Sequence, residues 1–488
     1  MSTVAAAQPL PEPMPAVPAG GAAPPQPWLA QVLLDTVART GARLGLIWIG
    51  VIAFFAVFAP FIASSHPYLL RTDDPRLVRE FGAFSSPLLQ YLSGIDVTLV
   101  VGTLAAVALA FARRVPVRHR FLLLALVLLW TLPLAHWQPL ADWYRGRFQS
   151  WAGAPSKGRA AAVLAGASLA ILTALALIVL IVTRSGIPRR ALAVCLGFLL
   201  ALTALLVVVP VSPPKLAVYE QYREAQEAGR VQFALRAPIP YSASDRLRDQ
   251  FDPDRPHPWR PTGQHLLGTE SYGADILSRM MHASRIAMAI GFIATGIAVV
   301  IGAVVGGLMG YFVGWVDLVG MRVVEIFNAV PTIYLLLAFV AFFERNLYLM
   351  MVIIGLTTWV GNARFVRAEF LRLRTQDFVQ AAKAAGLPLS SILFRHMLPN
   401  AMAPLLVSAS FGIASAILFE STLSFLGLGL VDEPSWGQLL NQAIGAAGSF
   451  YWWLAMFPGL AIFLTVFAYN LIGEAVRDAL DPKLKGVE

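Results

Sequence analysis

Ten long apolar segments run through this chain of 488 residues and constrain its fold more than any other feature. Each is close to the roughly 20 residues that an α-helix needs to cross a bilayer. With 57% hydrophobic and 13% charged residues, the chain carries about half the charged fraction of a soluble domain. We therefore predict an all-α polytopic membrane protein with about ten transmembrane helices. They are predicted near residues 43–63, 88–112, 119–137, 160–183, 190–211, 286–313, 318–343, 347–364, 401–426 and 452–474.

Basic residues between the apolar segments indicate the orientation. If the predicted helices alternate across the bilayer, five basic stretches fall on one side, and the positive-inside rule makes that side cytoplasmic. The segment 138–159 is also basic and opposes this assignment, but it is one segment against five. We attribute the formal charge of +9 to cytoplasmic loops and do not predict nucleic-acid binding. The five stretches contain Arg39 and Arg43; Arg113, Arg114, Arg118 and Arg120; Arg184, Arg189 and Arg190; Arg364, Arg367, Arg372, Arg374 and Lys383; and Lys483 and Lys485.

Both ends of the chain are predicted to be cytoplasmic tails, at residues 1–42 and 475–488. The first 27 residues are rich in Ala and Pro, and no Lys or Arg precedes Arg39. A signal peptide needs a basic start followed at once by an apolar stretch, so we predict a disordered tail instead. The single cysteine, Cys195, excludes a disulfide framework and a cysteine metal site.

The segments between the two tails differ in composition. After the first helix at 43–63, the region 88–211 supplies four additional helices that are almost uncharged, which indicates an accessory packing module rather than a translocation route. Residues 212–285 are polar and Pro-rich and are predicted to form an extracytoplasmic lobe. Residues 286–474 form the transmembrane core. Its loop at 365–400 is basic, amphipathic and too long for a simple connector, which indicates a function.

This loop contains a run of small residues followed by a glycine. Four alanines between Gln380 and Gly386 predict a short helix with a smooth face that another protein surface could approach closely. Gly386 permits a left-handed turn, and Leu387-Pro388 begins a second helix with an apolar face. The pattern predicts a helix–turn–helix with one docking surface. From the residues alone, an interfacial amphipathic loop without a partner is the alternative.

The same stretch resembles the EAA loop of ABC importer permeases, with the pattern E-A-A, three residues, G, and then I-x-L-P. In that family the loop forms a coupling helix that sits in a groove of the ATPase subunit. Gln380 departs from the usual Glu: it keeps hydrogen-bonding reach but loses the charge that would pair with an ATPase arginine. The resemblance assigns ATPase coupling to Gln380, Ala381, Ala382, Gly386 and Pro399.

Two further segments narrow the resemblance to oligopeptide/dipeptide permeases of the C type. Residues 267–279 resemble L-G-T-D-x-x-G-R-D-x-L-S-R, with Glu270 in place of Asp and Ala274 in place of Arg. Residues 420–437 resemble E-x-x-L-S-F-L-G-L-G…P-S-W-G almost completely. Asp481-Pro482 is similar to the D-P-R that closes such chains.

The resemblance implies a multi-pass inner-membrane permease with a type I ABC importer core, which moves peptides by alternating access. The implied partners are a second, B-type permease, ABC ATPase subunits, an extracytoplasmic solute-binding protein and the lipid bilayer. ATP and Mg would bind in the ATPase subunits, so no cofactor is expected in this chain and the chain is not expected to be an enzyme. Relatives of ordinary length have six helices, which leaves the four helices at 88–211 as an insertion.

Five residues are pathway or gate candidates. Glu325 lies three residues after Arg322 inside an apolar segment, where such a pair either sets packing or marks a pathway. Glu420 either caps the turn that follows it or faces the route. The glycines after Glu420 are predicted to break the helix, which is tolerated at membrane depth where the chain lines a cavity or is buried in protein. The candidates are Glu325, Glu420, Gly427, Gly429 and Trp436.

A second set of glycines recurs at three- and four-residue spacing and predicts close helix packing. The partner helix could belong to this chain or to the second permease. These glycines are Gly302, Gly306, Gly307 and Gly310.

Two alternatives to this function stay open. No G-x-x-x-x-G-K-[ST] motif occurs, so energy must come from an ion gradient or from another subunit. An ion-driven secondary transporter would need paired intramembrane carboxylates and repeat halves, and neither is clear. Within the family, a metal chelate or glutathione is the alternative solute. The seven histidines do not cluster with carboxylates at metal-ligand spacing.

Overall fold

The computed structural model describes residues 28–112, 115–135, 187–188, 191–199, 219–250, 257–343, 345–430, 433–445 and 448–480. These residues are mostly helical. The helices are α1 (Trp28–Ala38), α2 (Thr40–Ile62), α3 (Pro75–Phe81), α4 (Pro87–Tyr91), α5 (Gly94–Phe111), α6 (Val117–Ala135), α7 (Tyr219–Glu227), α8 (Ile276–Phe312), α9 (Gly314–Ala329), α10 (Thr332–Phe342), α11 (Leu347–Leu373), α12 (Asp377–Ala384), α13 (Leu398–Phe425), α14 (Trp436–Asn441) and α15 (Trp452–Leu480). The strands are β1 (Leu69–Thr72), β2 (Phe84–Ser85) and β3 (Val231–Leu235). A 3₁₀ turn spans Arg248–Gln250, and a π-helical segment at Ser391–Met397 leads into α13.

Among the described residues, six helices are long and apolar enough to cross a membrane: α2, α5, α8, α11, α15 and the continuous run Ser391–Phe425. A seventh span is broken, because α9 and α10 meet at an angle of 81°. The break follows from Pro331, since the residue before a proline is disfavoured in helical geometry. The all-α polytopic fold is confirmed, but the number of ten is not. The predicted helix at 160–183 lies outside the described residues, and only 191–199 of the predicted 190–211 is described.

Side-chain caps move two helix starts away from their predicted places. α5 begins at Gly94 rather than near residue 88, because Ser93 and Asp96 form a reciprocal capping box. α8 begins at Ile276, ten residues before the predicted start, because the Asp275 carboxylate accepts a hydrogen bond from the Ser278 backbone N–H at 2.9 Å. Residues 276–285 therefore belong to the core helix and not to the predicted lobe.

The lobe is assembled from two distant parts of the chain. β1 pairs antiparallel with β2 and with β3, in the order β2-β1-β3, so residues just after α2 share a sheet with residues after α7. A buried cluster of Leu70, Leu77 and Tyr222 joins the two parts. The predicted lobe at 212–285 is thus incomplete by itself, and its other half is residues 64–93.

The glycine-rich face of α8 packs within this chain. A Cβ at Gly306 would lie 2.3 Å from the backbone oxygen of Ala363 in α11, and one at Gly310 would lie 2.6 Å from that of Arg367. Gly302 and Gly307 face the same helix. The two backbones approach closely only because these side chains are absent. The sequence did not show which helix packs against these glycines, and the structure identifies it as α11 of the same chain.

The other core helices surround this pair. α13 packs against α8, α11 and α15, and α2 packs against α8 and α15. The Ser408 hydroxyl of α13 donates to the Asn362 side-chain oxygen of α11 at 2.6 Å. The described part of the inserted helices forms a cluster in which α5, α6 and residues 191–199 pack together, with Phe61 of α2 against it.

Candidate functional site

The loop after α11 has the predicted helix–turn–helix shape. α12 ends at Ala384, and Gly386 follows with φ of +68°. The Leu387 N–H donates to the Ala382 carbonyl at 3.2 Å and the Gly386 N–H to that of Lys383 at 3.0 Å. These are the two hydrogen bonds of a Schellman motif, which a residue with positive φ completes. A Cβ at Gly386 would meet no atom within 4 Å, so the backbone angle alone selects glycine here.

One side of this helix–turn–helix is packed firmly onto the core. Val379 and Ala382 of α12 are buried against the end of α11, and the π-helical segment closes the cluster from the other side. The loop is therefore not a free connector, because it is packed against the ends of α11 and α13. The cluster comprises Val366, Phe370, Leu373, Val379, Ala382, Ile392, Leu393, Met397, Ala401 and Leu405.

The opposite side of the loop is exposed and largely apolar. Leu387 and Leu389 are 38% and 40% exposed, and Phe394 is 57% exposed. Of the five predicted coupling residues, Ala381, Gly386, Gln380 and Pro399 are exposed. Ala382 is buried, so its contacts lie within this chain. Together the small and apolar residues form a surface that another protein could cover.

Gln380 makes a contact that a glutamate at this position could not make. Its side-chain Nε2 donates a hydrogen bond to the Arg374 backbone oxygen at 2.7 Å. Arg374 is the C-terminal cap of α11, whose last carbonyls lack helical partners. Gln380 therefore ties α12 to the end of α11.

Glu420 lies inside the protein and holds two segments together. Its carboxylate accepts hydrogen bonds from the hydroxyls of Ser424 at 2.7 Å and Ser435 at 2.6 Å, and a longer one from Ser421 at 3.4 Å. The side chain is 4% exposed. Because Ser435 also caps α14, Glu420 joins α13 to the segment that follows it.

The rest of the 420–437 segment is closely packed. Gly427 has φ of +78° and ends α13, while a Cβ at Gly429 would lie 2.2 Å from the Ser424 hydroxyl. Trp436 is 2% exposed, and its indole N–H donates to the Met280 carbonyl of α8 at 3.2 Å. These contacts provide a structural role for Glu420, Gly427, Gly429 and Trp436; a role in gating remains a prediction.

Glu325 lies elsewhere, on α9. It pairs with Arg322 at i,i+3, and both side chains are largely exposed, at 48% and 68%. No contact among the described residues joins Glu325 to the Glu420 cluster.

One charged pair was not anticipated from the sequence. Asp96 of α5 forms an ion pair with Arg285 of α8 at 2.5 Å, and the Arg285 Nε donates to the Ala56 carbonyl of α2 at 2.9 Å. The inserted helices are thus joined to the core by a charge. The Ser93-x-x-Asp96 capping pattern could have marked Asp96 as an ordered helix start, but nothing local pointed to Arg285.

The fold and the loop define a class of protein: a multi-pass membrane permease subunit of an ABC transporter. The sequence model of a family described as "Binding-protein-dependent transport system inner membrane component" matches residues 279–486. The chain is 38% identical over 229 residues to the dipeptide transport system permease protein of Alkalihalophilus pseudofirmus, a match that covers 46% of this chain and 74% of that protein.

Two other relatives are similar to a comparable degree. The oligopeptide transport system permease protein of Escherichia coli K12 is 42% identical over 45% of this chain and 72% of its own length. The glutathione transport system permease protein of Pectobacterium atrosepticum is 38% identical over 51% of this chain and 80% of its own length. The chain therefore belongs to the inner-membrane permease family of binding-protein-dependent ABC transporters. It is a transport subunit and not an enzyme.

Proposed function

We propose that this chain is the C-type permease of an importer for short peptides, driven by ATPase subunits that dock on residues 377–399. The observation that carries the proposal is the loop itself, which has one exposed small-residue face and one face packed into the core. Its docking side would receive the ATPase, and its packed side would pass movement to α11 and α13. ATP and Mg would be bound by the ATPase subunits.

The path of movement follows from the packing. The π-helical segment continues directly into α13, and α11 is in backbone contact with α8 along the glycine face. A tilt of α12 would therefore tilt three core helices together. We propose that this tilt opens the route alternately to the two sides of the membrane, at an interface with a B-type permease that covers the exposed face of α9 and α10.

Orientation and solute complete the proposal. The positive-inside rule places the coupling loop and both termini in the cytoplasm, and the lobe on the outer side, where a solute-binding protein would dock. Peptides are proposed because the relatives carry out dipeptide and oligopeptide transport by name. Glutathione, itself a tripeptide, is the second candidate because one relative of similar identity is a glutathione permease.

Reconstitution in proteoliposomes tests the proposal. The chain, its partner permease, the ATPase subunits and the binding protein are assembled, and uptake of labelled dipeptides, longer peptides and glutathione is measured. We expect uptake to require ATP on the side of the membrane that carries the ATPase subunits. We expect uptake not to change when proton or sodium gradients are imposed. Uptake that follows an ion gradient and ignores ATP would overturn the proposal, and glutathione uptake alone would overturn the choice of solute.

A further inference from the structure

A cavity of about 370 Å³ lies where the lobe, the inserted helices and the core meet. This volume lies in the range of small-molecule sites. Its walls come from the first half of the lobe, from the second half, from α5 and from α8, so it exists only in the assembled fold. Asp96, a residue of the region predicted to be a plain packing module, is one of the wall residues.

The charged groups on the cavity wall differ in whether other groups of the protein pair with them. Asp96 and Arg285 neutralise each other, and the second oxygen of Asp96 accepts from the Ser93 backbone N–H at 2.7 Å. The Arg285 Nε also donates to the Ala56 carbonyl, while its buried Nη2 has no hydrogen-bond partner among the described residues. Glu433, by contrast, is exposed and has no ion pair or hydrogen bond within the part of the chain that the structure describes. No described group of the protein therefore neutralises its negative charge on the cavity wall.

The imidazole of His66 does not supply a compensating cation. Burial lowers the pKa of His66 to about 4, against a smaller opposite effect of Asp245, so this imidazole is neutral at neutral pH. The Nδ1 of His282 lies 2.9 Å from the Ser278 carbonyl oxygen and must carry hydrogen to make that contact. In the neutral ring, Nε2 is then an acceptor. The wall also includes the hydroxyls of Tyr219, Ser242 and Ser244 and the apolar Leu88, Leu92 and Ile286.

A ligand that fits this wall has several hydrogen-bond donors, a positive charge and a short apolar body. A primary ammonium group has these properties, because it carries three donors and no acceptor. We propose that this cavity binds a small organic primary ammonium ion, with Glu433 as its counter-charge. This site is separate from the proposed coupling surface, and it does not depend on the proposed solute.

Binding to the purified complex tests the inference. The full-length chain with its partner subunits is placed in nanodiscs of phosphatidylcholine and phosphatidylglycerol, which carry no primary amine. Calorimetry is then done without ATP, using phenylethylamine, dialanine and their N-acetylated forms. We expect both amines to bind and both acetylated forms to fail, which would show that the site requires a free amino group and accepts it on a simple amine and on a peptide alike. Loss of binding in phosphatidylethanolamine nanodiscs would identify the lipid headgroup as the natural source of the ammonium group.

A pair of variants assigns the binding to this cavity. Glu433→Gln keeps the shape of an exposed side chain and removes its charge, so amine binding should weaken roughly tenfold or more. Glu227→Gln removes an exposed carboxylate of the lobe outside the cavity and should change nothing. Equal binding of acetylated probes, or unchanged affinity in Glu433→Gln, would overturn the inference. Because no transport is measured, failure of peptide uptake would leave this result standing.

Discussion

The side-chain amide of Gln380 donates a hydrogen bond to the backbone oxygen of Arg374 at 2.7 Å. This contact connects the first residue of the coupling pattern to the last turn of α11. A carboxylate cannot donate to a carbonyl, so the departure from the usual Glu has a physical use in this chain. Gln380 supplies a hydrogen bond within the loop in place of the charge that a glutamate would carry.

Gln380→Glu is therefore expected to lower coupled transport rather than improve it. The variant loses a hydrogen bond worth about 1 kcal/mol and places a carboxylate beside a carbonyl oxygen, which corresponds to a loss of roughly fivefold in transport. Peptide-stimulated ATPase activity of the reconstituted complex is the measurement. Gln376→Glu, an exposed change one turn earlier, is the matched control. Higher activity in Gln380→Glu would mean that pairing with the ATPase outweighs the internal contact.

Gly386 tests the left-handed turn. Gly386→Val should reduce ATPase co-purification and transport strongly, because a β-branched residue resists φ of +68° and the left-handed conformation costs an L-residue about 1–2 kcal/mol. Gly386→Asn should retain most activity, since asparagine tolerates this region. Membrane insertion, measured by membrane fractionation, should not change. Equal activity of the Val and Asn variants would remove the turn from the coupling mechanism.

Glu420 is expected to act as a structural tie. Glu420→Ala leaves the hydroxyls of Ser424 and Ser435 without their acceptor, and unsatisfied buried polar groups cost about 1–3 kcal/mol each. The melting temperature of Glu420→Ala in detergent should fall. The melting temperature of Glu420→Gln should fall less, because its amide oxygen still accepts a hydrogen bond. A variant that melts like the parent but no longer transports would instead support the gating role.

The pair of Asp96 and Arg285 is suited to a double-mutant cycle. Removing one partner of a fully buried pair costs about 3–5 kcal/mol, and this pair should cost less because the Arg285 side chain is 23% exposed. Asp96→Ala and Arg285→Ala should still each lower the melting temperature. The double variant should be less destabilised than the sum of the two. Strict additivity would show that the inserted helices are not held to the core through this pair.

His66 predicts a pH dependence of the lobe. Burial lowers its pKa from 6.5 to about 4, so the folded lobe keeps the imidazole neutral. As pH falls below 6.5, the unfolded chain binds a proton that the folded lobe does not, and stability is lost progressively until pH 4. The full contribution is present above pH 6.5.

The measurement compares melting temperatures from pH 7.5 to pH 5 in the parent and in His66→Phe. The phenyl ring keeps the stacking on Tyr91, whose ring centroid lies 4.4 Å away, but cannot titrate. The variant should therefore lose less stability over this pH range, whatever its absolute melting temperature. Parallel curves for the two proteins would exclude His66 as the titrating group.

Features that depend on neighbours in sequence were predictable. Spanning helices follow from the transfer of apolar side chains into lipid, which is a property of each segment by itself. The turn at Gly386 follows from the freedom of glycine at positive φ. The break at Pro331 could have been read in the same way, but the apolar run on both sides of it concealed the break.

Features that depend on distant residues were not predictable. The strands β1 and β3 contain only four and five residues, and β1 also pairs with the two-residue β2, so their weak alternation could not show that residues 69–72 pair with residues 231–235. The same limit hid the contact of Asp96 with Arg285. Side-chain capping by Asp275 was a local signal that was overlooked, and it moved the start of α8 by ten residues.

The sequence by itself determined the spanning helices and the turn at Gly386, because hydrophobic length and backbone freedom are local properties. The permease family followed from the resemblance of the motifs between Leu267 and Pro482. Only the tertiary structure decided which face of that loop is free. It buried Ala382 and exposed Ala381, directed the α8 glycines to α11, and joined the inserted helices to the core through a charge. These choices depend on the simultaneous packing of segments far apart in the chain, which no single segment encodes.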